Sequence, residues 1–340
     1  MPLPDSGVRE WRDVTPSIFR DEILPSGQPA VMRGAVAHWP AVRAGRESPR
    51  AMSNYILGFG AQQPAETMFG DPGIGGRFFY NDQLNGLNFQ RRAQPLALSL
   101  EQLLAVEDSP DAASLYVGAL PLPAGLPGFA DDNRLLLLDP RVVPRIWISN
   151  RVTVQTHYDV SMNCACVVAG RRRFTLFPPE QLANLYVGPL DFTLAGQPVS
   201  MVRIEDPDHE RFPRFREAWR HAQGAELGPG DALFIPYMWW HHVEALDAFN
   251  VLVNYWWDDT PGWAGSPFEA LVHALMSVHS LPPGKRAVWQ KVFEHHVFEA
   301  DGDPAAHLPP HQRGIQGAPD PRLSGHMRTW LLRALSPRQR

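Results

Sequence analysis

Residues 156–177 read THYDVSMNCACVVAGRRRFTLF, and this stretch decides the fold. Its two apolar runs, Asn163 to Val168 and Arg173 to Phe177, flank a turn at Ala169-Gly170 and read as a β-hairpin. Side chains two apart on a strand point to one face. His157 and Asp159 therefore aim to a common side. Asn163, an even number of residues from Asp159, aims with them, while Cys164 and Cys166 face the other way. Similar short runs rich in Val, Ile, Phe, Leu and Tyr recur at Ser114 to Val117, Arg145 to Ile148, Ala232 to Ile235 and Phe249 to Tyr255. Alternating with turn signals, they predict a mainly β sandwich or barrel between residues 114 and 257. A charged, aromatic interruption from Ile204 to Gln223 turns partly helical after Pro213.

An imidazole nitrogen and a carboxylate oxygen on one face supply two ligands of a two-histidine, one-carboxylate triad, which leaves open positions on iron(II). Alone, His-x-Asp occurs by chance in many chains. The third ligand has to come from another strand. Residues 228–244, GPGDALFIPYMWWHHVE, combine a tight-turn signal, an apolar strand and the paired histidines His241 and His242. A histidine in so apolar a setting needs a partner for its ring nitrogens. One of the pair reads as the distal ligand and the other as a core or surface histidine. His209, His221, His273, His295 and His296 lie in helical or charged stretches and take no role.

Outward from this core, composition narrows the classes. The chain has 340 residues, a net charge of −5 and no apolar run long enough to span a bilayer, so neither a membrane span nor a nucleic-acid partner is expected. The two cysteines are too few for a disulfide framework and read as small buried residues. Met1-Pro2-Leu3-Pro4-Asp5 lacks a secretory signal, so a cytoplasmic location is expected. Before residue 114 the sequence predicts a helix opened by Thr15 and Pro16, a strand over Pro29 to Arg33, and a helix starting at Ser99 with Gln102 closing a capping box. After residue 258, Ser266-Pro267-Phe268-Glu269 opens a helix carrying Phe268, Leu271, Val272, Leu275 and Val278. Further apolar stripes run through Val288, Trp289, Val292 and Phe293, and through Met327, Trp330, Leu331 and Leu335. These helices either pack on the barrel or form a homodimer interface. The expected organisation is an α/β extension over 1–113, a β core over 114–258 and a helical region over 259–340.

The pattern from Trp147 to Pro178, with the later Gly-Asp-x-Leu-x-Ile-Pro-x-x-Trp-Trp-His-His and Asn254-Tyr255-Trp256, resembles the cupin-like JmjC oxygenases, above all their asparaginyl hydroxylases. The resemblance runs from about Pro29 to Trp257. It implies a double-stranded β-helix (jelly-roll) with N-terminal α/β additions and C-terminal helices, working with Fe(II), 2-oxoglutarate and O2. Matched residue by residue, His157, Asp159 and His241 are the metal ligands, and His242 points away. A dicarboxylate that chelates metal at one end needs a cation at the other. The resemblance gives that role to Arg172, at a position where the family pattern has lysine, and the two are not interchangeable. It also lines the cosubstrate pocket with Tyr116, Asn163 and Asn254 and walls it with Trp256. Val154 replaces a threonine that bonds the cosubstrate, and Thr156, of the same strand parity, is the candidate to compensate. Tyr80 and Asp82 fall at substrate contacts. The implied activity is hydroxylation of a C–H bond, with a protein or peptide side chain or a small molecule as substrate. The rivals are a non-catalytic barrel binding a sugar or peptide, and a metal-dependent isomerase or hydrolase.

Overall fold

Apolar runs too short for helices and bounded by turns become the strands of two mixed sheets. The computed structural model describes residues 4–61, 63–109 and 111–336, so Met1 to Leu3, where the N-terminal reading starts, fall outside the described residues. In chain order the strands before residue 122 are β1 (Ser6–Gly7), β2 (Arg9–Arg12), β3 (Ala30–Arg33), β4 (Pro64–Gly70), β5 (Arg77–Phe78), β6 (Phe89–Pro95) and β7 (Ser114–Pro121). There follow β8 (Pro144–Ser149), β9 (Thr153–His157), β10 (Met162–Ala169), β11 (Arg172–Phe177), β12 (Gln223–Leu227), β13 (Ala232–Ile235), β14 (Trp240–Ala245) and β15 (Asn250–Trp257).

One sheet runs β1-β12-β11-β14-β9-β5, the other β2-β3-β13-β10-β15-β8-β7-β4-β6. Antiparallel pairs among β8 to β15 make the jelly-roll centre. Strands from before residue 114 extend both sheets at their rims: β2 and β3 lie beyond β13, β4 and β6 beyond β7, and β1 and β5 at the two ends of the smaller sheet.

Burial on both faces explains the composition of β10. Ala165 and Val167 point between the sheets, packing with Val31, Phe174, Leu176 and Leu233. Cys164, Cys166 and Val168 point to the outer face, into a second core with Val42, Ile56 and Leu100 from the N-terminal helices. A strand covered on both sides reads as a nearly unbroken apolar run. Both cysteines are free thiols.

The capping box at Ser99 is corrected. The helix spans Leu96–Ala105 and its N-cap is Pro95, which puts Ser99 one turn inside. Packing sets this start, because Leu96, Leu100 and Leu103 all bury on one face. The Ser99 hydroxyl instead meets Thr67 Oγ1 at 2.8 Å, and Gln94 Nε2 donates to both Ser99 Oγ and Gln102 Oε1.

The chain divides into two compact units, Met1–Asp258 and Asp259–Arg340. The second contains the helices Pro267–Ser277, Pro283–His296 and Pro321–Leu335. Ser266 Oγ caps the first by accepting from Phe268 N, and Asp320 caps the last by accepting from Leu323 N. Among the described residues of this unit only Ala305 is buried. Among the described residues of the whole chain, no helix is long and apolar enough to cross a membrane.

Candidate metal centre

The ladder between β9 and β14 sets His157 opposite His241, with ring centroids 4.2 Å apart. The two rings are oriented by the same local device. His157 Nδ1 lies 2.8 Å from the Gln155 carbonyl oxygen, and His241 Nδ1 lies 3.0 Å from that of Trp239. A carbonyl can only accept, so each Nδ1 carries the proton and each Nε2 keeps a free lone pair. Asp159 follows β9 by two residues. Its Oδ2 accepts from Trp256 Nε1 at 2.9 Å and from Asn163 Nδ2 at 3.4 Å, which orients the carboxylate and leaves Oδ1 for another bond. One donor atom from each of His157, Asp159 and His241 lies within 4.8 Å of the others.

Burial, followed by the neighbouring His157 ring, pushes the His241 pKa down to about 4. The ring is neutral near pH 7, as a metal ligand must be. Two imidazole nitrogens and one carboxylate that leave a face open form the donor set of non-haem iron(II) oxygenases, so the residues present fit that metal. The neighbouring histidine has turned to the other side of β14. His242 Nδ1 sits 3.2 Å from Thr156 Oγ1 and Nε2 sits 3.1 Å from Glu205 Oε1, which settles which of the pair faces the site.

The triad opens into a cavity that Tyr116, Asn163, Arg172, Asn254 and Trp256 all line. Hydrogen bonds join three of them to the carboxylate. Trp147 Nε1 donates to Asn254 Oδ1 at 2.7 Å, Asn254 Nδ2 donates to Asn163 Oδ1 at 3.2 Å, and Asn163 reaches Asp159. Tyr116 stacks on Trp147 at 5.5 Å. Arg172 is 1 % exposed, and its Nε and Nη2 have no hydrogen-bond partner among the described residues. Burial lowers its pKa, partly offset by Tyr116. A guanidinium buried with donors unused is costly by itself and suits an anion that would occupy the cavity.

One expectation is corrected. Val154 lines the cavity, but Thr156 does not. Between the pairs His157–His241 and Val154–Val243, β9 advances three residues while β14 advances two. This β-bulge breaks strand parity, so Val154 and His157 both turn inward and the Thr156 hydroxyl turns to His242. Thr156 therefore cannot compensate for Val154. Tyr80 and Asp82 line a different concavity, together with Arg77, Asn88 and Arg203. The Tyr80 hydroxyl is committed to the Phe192 carbonyl at 2.6 Å.

Sequence reasoning missed the loop bearing Leu194, Ala195, Gln197 and Val199, which closes one side of the cavity. It also missed Gln155, whose amide donates to the Ser200 and Val202 carbonyls while its oxygen accepts from Arg77 Nε. Neither lies in a recognisable motif.

A family model described as a cupin-like domain matches residues 16–262, more than half of the chain. The chain belongs to this family. HSPB1-associated protein 1 of Homo sapiens is 42% identical over 102 residues, covering 29% of this chain and 20% of that protein. tRNA wybutosine-synthesizing protein 5 of Danio rerio is 39% identical over 106 residues, covering 31% and 29%. Lysine-specific demethylase 8 of Xenopus tropicalis is 25% identical over 281 residues, covering 76% of this chain and 54% of that protein. The chain thus spans about a fifth to about half the length of these curated relatives. The JmjC members of this cupin-like family use Fe(II), 2-oxoglutarate and O2, and the triad and cavity here fit that class of oxidoreductase.

Proposed function

We propose that the chain is an Fe(II)- and 2-oxoglutarate-dependent dioxygenase that hydroxylates a C–H bond of a protein or peptide side chain. One cavity holds both the triad and the Arg172 guanidinium, two of whose nitrogens have no hydrogen-bond partner among the described residues, and this pairing carries the reading. His157, Asp159 and His241 would hold the iron, and Arg172 would take the far carboxylate of 2-oxoglutarate through charge-assisted hydrogen bonds. With both bound, the iron supplies the oxidising chemistry: one oxygen atom of O2 goes to the C–H bond and the other to succinate, with release of carbon dioxide. Trp147, Trp256, Tyr116 and Phe78 exclude water from the reacting groups. The cavity encloses about 160 Å³, below the roughly 300 Å³ at which pockets for drug-sized ligands begin. That room suits a small dicarboxylate and one narrow group, so a substrate reaches in with a side chain while its bulk stays outside.

The test is to incubate the iron-loaded protein with 2-oxoglutarate in air and a synthetic peptide library. Succinate should form together with peptides heavier by one oxygen atom. Peptide binding with no succinate would replace this reading with the non-catalytic barrel. Succinate released only with small molecules would remove the peptide substrate.

We further propose that the helical unit Asp259–Arg340 pairs with a second copy of the chain. Phe268, Leu271, Val272, Trp289, Trp330 and Leu331 are all exposed, and so many large apolar side chains left in solvent on one small unit favour an association face. Light scattering should give a dimer mass, and a double variant Trp289→Glu, Trp330→Glu should give a monomer. A monomeric parent protein would refute the pairing.

A further inference from the structure

The bulge in β9 leaves a residue outside the regular ladder, and something else has to hold it. On its buried side three polar groups are lined up. Thr156 Oγ1 lies 3.2 Å from His242 Nδ1, and His242 Nε2 lies 3.1 Å from Glu205 Oε1. Thr156 and His242 are fully buried. The Nε2–Oε1 approach is a close charge contact without hydrogen-bond geometry; the nearby carboxylate favours the imidazole proton on Nε2, which leaves Nδ1 to accept from the Thr156 hydroxyl. The same segment is pinned to β9 at two further points: Ser200 N donates to the Thr156 carbonyl at 2.8 Å, and the Gln155 amide donates to the Ser200 and Val202 carbonyls.

The consequence is geometric. His157 follows Thr156 directly, and His241 precedes His242. A hydroxyl and an imidazole that lock onto each other across the two strands fix the rotation of both backbones at the residues that carry the ligands. Val154 and His157 share the cavity only while the bulge persists. We propose that Thr156, His242 and Glu205 form a positioning array that holds the β9 bulge and aims His157 and His241 at one metal. None of the three lines the cavity, so they act through the ligands as positioning residues.

The proposal rests on the metal-site reading, and the experiment separates the two. Metal-free full-length protein is titrated with Co(II), and both the dissociation constant and the visible d–d spectrum are recorded. Thr156→Val keeps the shape and removes the hydroxyl, Glu205→Gln keeps the shape and removes the charge, and Thr156→Ser restores the hydroxyl. Partners behind a metal ligand control affinity by roughly 10–100-fold. Thr156→Val and Glu205→Gln are expected to weaken Co(II) by about that factor with an altered spectrum, and Thr156→Ser to stay within about threefold of the parent. A filler of space alone would not need a hydroxyl, so rescue by serine marks positioning. Parent-like affinity and spectrum in Thr156→Val overturn the array and leave the metal site intact. Failure of the parent protein to bind Co(II), or binding unaffected by His157→Ala, removes the metal site and the array together.

Discussion

Asp159→Ala is expected to abolish metal-dependent 2-oxoglutarate turnover and to weaken Fe(II) binding beyond the roughly 10–100-fold that groups behind the ligands control. The substitution deletes one of three donors, and two histidines do not define the face that leaves iron its open positions. It also strips the acceptor from Trp256 Nε1 and Asn163 Nδ2. Each partly buried donor left unsatisfied costs about 1–3 kcal/mol, so the metal-free variant should also melt at a lower temperature than the parent. Asp159→Asn separates the two effects. Its amide oxygen can still accept from Trp256, which should restore most of the metal-free stability while metal affinity stays low. Metal content by atomic emission, thermal melts of the metal-free proteins and succinate release check these outcomes. Full turnover in Asp159→Ala would end the assignment.

The legible and illegible parts of this site divide along a physical line. Short-range periodicity was enough to place β8, β10, β11, β13 and β15, because apolar runs between turn residues have few alternatives. The candidate ligands His157 and Asp159 were readable because they lie in one short motif, and the choice of His241 over His242 came from the family pattern. Thr156 was misread for a reason particular to strands: parity holds only along a regular ladder, and one extra residue reverses it. Glu205 stands in a charged stretch far along the chain from β9, and nothing local marks it as the partner of a buried imidazole. The surroundings of Tyr80 were illegible for another reason. An aromatic strand matched the family pattern, but the loop around Phe192 takes its hydroxyl, and such a contact is set by tertiary packing alone. The exposed stripes of the last three helices were readable from their spacing. Their occupant is not encoded in periodicity.

Arg172→Met should move two observables in opposite directions. In the parent the guanidinium is buried with Nε and Nη2 unpartnered among the described residues, so before ligand binds the fold carries a buried charge with donors unused. Replacing a buried charge by an apolar side chain of similar volume is often neutral or stabilising by about 1–4 kcal/mol. The metal-free, ligand-free variant is therefore expected to melt at or above the parent temperature. Cosubstrate affinity should fall steeply. A hydrogen bond to a charged group contributes about 1.5–3 kcal/mol, and loss of two corresponds to a rise in the 2-oxoglutarate KM of roughly 100-fold or more. Arg172→Lys keeps the charge but loses the planar fork, so it should fall between the two in affinity without the gain in stability. Succinate release against 2-oxoglutarate concentration, beside thermal melts with and without the cosubstrate, measures both quantities. If Arg172 were only a structural residue, methionine would lower stability and leave the KM unchanged. The predicted inversion, a sturdier empty protein that no longer holds its dicarboxylate, follows only if the arginine is kept buried for the ligand.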